Sequence, residues 1–216
     1  MLTSFIRPDA EPASYKTSEQ LRYIIDNREN YLPESVLAAV DVLQGRGVEF
    51  SDEELQVIRE DMQARTEIAS DSRPSFGLFA DNYKNVLVKD PDAYEFYSRR
   101  VIKAFTFFFG PVFGSVMMAM NIGKTGDNGG VALVLAFGVG VNIVEGIIAG
   151  GAGIGSSITV IFSFVNMALM DALFWNKYIG NTTLYKARKY WVPLAIGLVL
   201  LGLVVWAIYS GKIPVK

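Results

Sequence analysis

The chain has no cysteine and no histidine. Without cysteine there is no disulfide, no thiolate metal site and no cysteine nucleophile, and nothing is marked about redox compartment. Without histidine it lacks the commonest general base near neutral pH and the commonest metal ligand. A third shortage is regional. No charged residue occurs from Ala104 to Gly123, from Asn128 to Val144, from Gly146 to Met170 or from Tyr190 to Gly211. A helix needs about 20 apolar residues to cross the ~30 Å hydrocarbon core of a bilayer. Each run is near that length, and only Glu145 separates the second from the third. The expected fold is therefore all-α, an integral membrane bundle of four transmembrane helices near 102–122, 131–150, 155–175 and 191–210.

The charges that are present divide the chain. Residues 1–100 carry 12 Lys and Arg against 19 Asp and Glu, whereas residues 101–216 carry 8 against 3. The acidic half reads as a small soluble helical domain over 1–68 with a linker over 69–90, and the membrane domain occupies 91–216. Nucleic acid is not expected as a partner, because binding it requires a basic face. Met1 to Pro12 lacks the apolar run of a signal peptide, so the first span is expected to act as the insertion signal. An acidic tail of that size is expected to stay in the cytoplasm.

Helix signals punctuate the soluble half. Leu21, Ile24 and Ile25 recur at helical spacing behind Thr17 or Ser18 as cap. Pro33 suits a first helical turn, and Gly45-Arg46-Gly47 suits a stop. Ser51 and Glu54 have capping-box spacing ahead of a third helix to about Ile68. Three short amphipathic helices bury little surface, so association with a protein partner or with a second copy through these helices is expected. Asp90-Pro91 resembles a cap and first-turn proline, predicting a helix that runs through Tyr94, Phe96 and Tyr97 into the first span.

In the membrane half, Trp175, Tyr178, Tyr190, Trp191, Trp206 and Tyr209 lie at span ends, where amphipathic rings sit at the lipid interface. Gly138, Gly146 and Gly150 share one helix face with Asn142, and Gly110 and Gly114 repeat the spacing beside a predicted kink at Pro111. Small residues in that pattern are expected to pack helices closely. The polar residues at depth, Asn142, Glu145, Asn166 and Asp171, are the candidate intramembrane site, since such groups are costly in lipid. A tight turn near Ile154 sets Asn142 opposite Asn166, Glu145 opposite Ser163, and Asp171 near Lys177 and Lys186. Four crossings leave the flanking cations almost evenly divided, so orientation is undecided by charge. A rival arrangement, with one full crossing between 128 and 174 and the rest re-entrant, gathers most cations on one side.

Gly123-Lys124-Thr125 imitates the end of a phosphate-binding loop, but Met118 stands where that motif needs glycine. Gly151 to Gly155 follows no strand, and Ser156 and Ser157 have no base. No catalytic residue, cofactor or metal is expected. The run Tyr31-Leu32-Pro33-Glu34, Ala38-Ala39, Leu43 and Arg46-Gly47 resembles a helical motif near the N-terminus of multi-span bacterial membrane proteins of unassigned activity. Tyr97 to Ile102, Phe113-Gly114, Asn121, Phe174 to Tyr178 and Trp191 to Leu194 are similar to the same group. The resemblance implies a bacterial inner-membrane protein with a cytosolic helical N-terminus. Two readings follow: a membrane-anchored interaction or regulatory protein, or a small oligomeric transporter or channel using Asn142, Glu145 and Asn166.

Overall fold

The computed structural model describes residues 5–70, 86–152 and 156–210. Three helices open the chain. Helix α1 (Ser18–Asp26) starts at Thr17, whose side chain and that of Gln20 form a reciprocal capping box. Helix α2 (Pro33–Gly45) has its proline at the first turn, where no intrahelical donor is lost, and the chain leaves it through Gly47 at φ +85°. Helix α3 (Asp52–Ser70) begins with Ser51 Oγ accepting from Glu54 N. Their apolar faces close on one another: Leu21, Ile24, Ile25, Val36, Ala39, Val40, Leu43, Ile58 and Met62 form one core.

The chain then builds a platform. Strand β1 (Glu95–Phe96) pairs in parallel with β2 (Lys186–Ala187), which follows it by about ninety residues in sequence. Tyr185 also bridges Leu87, and Ala93 bridges Ile6, so four separate segments share one backbone network. Asp90, fully buried, accepts from the backbone N–H groups of Leu32 and Asp92 and ties α2 to this platform. That employment explains why no helix starts at Asp90-Pro91. The backbone of Tyr94 and Phe96 is committed to Lys186 and Arg188, and the helix begins later, at Ser98. The predicted linker is described only over 86–90, which is extended and paired; 71–85, with Phe76, Leu78 and Phe79, lies outside the described residues.

The first apolar run is not one span. Helix α4 (Arg99–Phe109) ends at Gly110, whose φ of +89° reverses the chain, and α5 (Pro111–Lys124) returns alongside it. The antiparallel register is direct: Asn121 holds both backbone groups of Tyr97, Lys124 Nζ donates to Glu95 O at 2.5 Å, and Gly114 abuts Thr106. Gly110-Pro111 is therefore a reversal and not a kink. A helix of 11 or 14 residues is only ~16–21 Å long, short of a bilayer crossing.

Helix α6 (Asn128–Ala152) then runs back along α5, followed by α7 (Ser156–Leu169), which continues as a π-helix over Met170–Ile179. Helix α8 (Trp191–Tyr209) closes the fold and touches it near Phe109 through Gly197. The molecule is mostly helical, as expected, but the four predicted spans are not reproduced. Among the described residues, one helix, over Asn128–Ile148, is long and apolar enough to cross a membrane, with a shorter apolar helix at Trp191–Ala207. The second core lies where α4, α5, α6 and the π-helix meet the platform, around Phe96, Ile102, Met117, Met118, Ile122 and Tyr185.

Candidate functional site

Burial of charge marks one place in the molecule. Asp171 stands at the start of the π-helix with 8% of its surface exposed, and Arg99, in the first turn of α4, is equally buried. Both oxygens of Asp171 accept from Arg99, through Nε and Nη2, in a two-pronged fork. Lys103, one turn along α4, brings its Nζ to 3.5 Å from Asp171 Oδ2. Arg99 Nη1 also donates to Asn181 Oδ1 at 3.1 Å. One carboxylate thus sits between two cations, and removing it would take the ionic partner from the buried Arg99 guanidinium.

The spacing argument places Asp171 near Lys177 and Lys186; the structure gives it Arg99 and Lys103 instead. The physical reason is the hairpin at Gly110. With α4 folded back on itself, its first turn and the start of the π-helix lie at the same end of the molecule. Arg99 and Lys103 are consequently buried inside the protein. A π-helical stretch of ten residues is unusual, and it is this stretch that carries Asp171 and presents Phe174, Trp175 and Ile179 to the platform core.

The remaining polar candidates separate. Asn166 is buried, and its Nδ2 donates to Glu145 Oε1 at 2.5 Å, joining α7 to α6. Asn142 is exposed on α6 and does not face Asn166; it lies beside the Gly110 reversal, 4.0 Å from where a side chain there would begin. The predicted facing of Asn142 and Asn166 is thus replaced by a Glu145–Asn166 pair one helical turn further on. The small residues also divide. A Cβ on Gly138 would meet Ser115 Oγ at 2.4 Å and one on Gly114 would meet Thr106 Oγ1 at 1.9 Å, whereas nothing lies within 4 Å of Gly146. The surroundings of Gly150, in α6, lie outside the described residues.

The contacts at these positions are hydrogen bonds and charge compensation. Among the described residues there is no group of three or more carboxylates that could hold a metal ion. Two buried polar side chains outside the candidate site are structural: Asp90, expected as a helix cap, pins α2 to the platform, and Asn121 closes the α4–α5 hairpin. The physical signal for Asn121 in the sequence is a polar side chain inside an uncharged run. Comparison with protein-family models, with curated proteins and with solved structures finds no match to this chain.

Proposed function

We propose that this chain is an integral protein of a bacterial inner membrane, whose helical N-terminal domain engages a protein partner at the cytoplasmic face. The observation that carries the membrane reading is the exposure of α6. Its most apolar stretch is only 11% buried within the protein, whereas an apolar helix in a water-soluble core would be covered. Ile143, Val144 and Ile147 stand exposed on it, as do Val192, Leu198, Val199 and Leu203 on α8. Contiguous exposed apolar surface on this scale marks contact with lipid or protein.

The hairpin then supplies a topology. In this reading α4 and α5 enter and leave the same leaflet, α6 crosses, α7 with the π-helix crosses back, and α8 crosses again. The tip at Gly110 reaches the level of Asn142, about 21 Å along α6 from Asn128. Non-helical backbone at that depth must be covered by protein, and α6 and α8 flank it. The pairing of β1 with β2 supports placing the loop before α8 on the same side as the segment before α4. Lys89, Arg99, Arg100, Lys103, Lys124, Lys177, Lys186, Arg188 and Lys189 then share one side, against Lys212 and Lys216. Such an asymmetry supports a cytoplasmic platform and N-terminal domain.

The partner reading rests on a groove of about 350 Å³ between α1 and the platform, lined by Tyr23, Ile24, Tyr31 and Pro91, with Tyr15 exposed at 76% and Tyr23 at 59%. Exposed aromatics beside a pocket are the usual anchors of protein recognition. A photoreactive residue at Tyr23 in intact membranes should yield a discrete adduct that Tyr15→Ala weakens. Resistance of the chain to alkaline carbonate extraction, with no adduct formed, would leave the anchor without its partner and sink the recruitment reading.

A transporter reading draws on Asn142 beside the hairpin tip and on the Glu145–Asn166 pair. It requires water at that depth. Labelling of Asn142→Cys by a small aqueous maleimide, together with loss of ion flux in Glu145→Gln, would favour it over the anchor.

A further inference from the structure

A cleft of about 540 Å³ opens where α4 and α8 both begin. Its charged lining residues are all cationic: Arg100 from the first turn of α4, and Arg188 and Lys189 from the loop before α8, with Ser98 and Tyr190 as neutral polar neighbours. Among the described residues no carboxylate lines it. Its deeper wall is apolar, with Val101, Ala104 and Phe105 on one side and Trp191 on the other. Further along the two helices, Phe109 packs against Gly197.

Fixed positive charge is concentrated here by the fold. Arg188 is held by two contacts, its N–H donating to Phe96 O at 2.7 Å and its guanidinium lying 4.7 Å from the centre of the Tyr97 ring. Lys124 lies near enough that burial first, and then Arg188, push its pKa down. The first-turn N–H groups of α4 and α8 add the positive ends of two helix dipoles. A cationic rim over an apolar slot matches one class of ligand, an amphiphile with an anionic head.

We propose that this cleft binds an anionic phospholipid, its phosphate held by Arg100, Arg188 and Lys189 and one acyl chain lying along Ala104, Phe105 and Trp191. The assignment rests on the membrane reading above and names the lipid that the cytoplasmic leaflet must supply. The chemistry of the rim is that of any phosphate; the apolar wall is what selects a lipid over the free ion.

The test uses the full chain in a neutral maltoside detergent, titrated calorimetrically with dioctanoyl phosphatidylglycerol, dioctanoyl phosphatidylcholine or inorganic phosphate. Phosphatidylglycerol should bind saturably with one site per chain, and Lys189→Glu, at an exposed position, should weaken it by about tenfold, the loss of one charge-assisted contact. Ala104→Trp should block the lipid while leaving the rim and the circular dichroism spectrum intact. Equal binding of the two lipids, competition by inorganic phosphate at the same concentration, or unchanged affinity in both variants would overturn the assignment. Flotation of the wild-type chain with pure phosphatidylcholine vesicles after carbonate washing keeps the two questions apart. If the chain washes off, the membrane reading fails; if it stays while Lys189→Glu and Ala104→Trp bind phosphatidylglycerol normally, only the cleft assignment fails.

Discussion

The N-terminal helices and the C-terminal helices solve burial in opposite ways. Helices α1 to α3 turn Leu21, Val36, Leu43 and Ile58 inward until almost none of their surface remains, and present charge outward. Helices α6 and α8 do the reverse, leaving Ile147 68% and Val192 70% exposed, while Val134, Phe137 and Leu194 pack on the fold and Gly138 and Gly197 make the closest approaches. The first pattern is that of a chain solvated by water. In the membrane reading proposed above, the second suits an apolar solvent, where close approach of backbones and not the hydrophobic effect holds helices together. Between them lies the platform, where charge is buried but compensated.

The contrast can be broken most severely at the platform. Asp171→Ala leaves Arg99 and Lys103 without their carboxylate and should cost about 3–5 kcal/mol, seen as a fall in the denaturation midpoint of the purified chain. Asp171→Asn should recover only part of that loss, because it restores a hydrogen-bond acceptor without the charge. Comparable loss is expected from Leu43→Ala in the N-terminal core, at about 2–5 kcal/mol, whereas Leu198→Ala on the exposed face of α8 should shift the midpoint little.

Val139→Arg, at an exposed position near the middle of α6, reads the solvent around that helix by sign. A charge near the middle of a membrane helix opposes insertion by about 2.5–3.5 kcal/mol, so the variant should accumulate poorly in membranes. In water the same exposed substitution would be neutral and would raise solubility. Gly138→Leu should cost about 1–3 kcal/mol by forcing α6 away from Ser115 and the carbonyl of Pro111, while Gly140→Leu and Gly146→Leu, with nothing within 4 Å, should be tolerated. The smallest effect is expected at Glu145→Gln, which keeps an acceptor for Asn166 and should move stability by less than about 1 kcal/mol.

Local signals were well legible and long-range ones were not. Thr17, Pro33, Gly47 and Ser51 announce the limits of α1, α2 and α3 because caps and stops act through neighbouring backbone groups. The run from Ala104 to Gly123 misleads because uncharged length is blind to direction: an apolar hairpin and an apolar span have the same composition. Its one local sign was Gly110 before Pro111, a glycine able to take positive φ ahead of a residue suited to start a helix. Once that reversal is missed, the partners of Asp171 are assigned to the wrong cations, since depth was counted along an uninterrupted chain. Pairing of β1 with β2 joins strands of two residues each, too short for any periodicity to reveal.

The absence of cysteine makes the decisive experiment simple, because each introduced thiol is the only one in the chain. Ser51→Cys marks the N-terminal domain, Asn128→Cys the exposed start of α6, and Ala187→Cys the exposed loop before α8. Sealed inverted membrane vesicles and intact spheroplasts would be challenged with a membrane-impermeant maleimide. The hairpin topology predicts that all three thiols label in the inverted vesicles and none in spheroplasts. Labelling of Asn128→Cys and Ala187→Cys from the side opposite to Ser51→Cys would restore a full crossing at 102–122 and contradict the account.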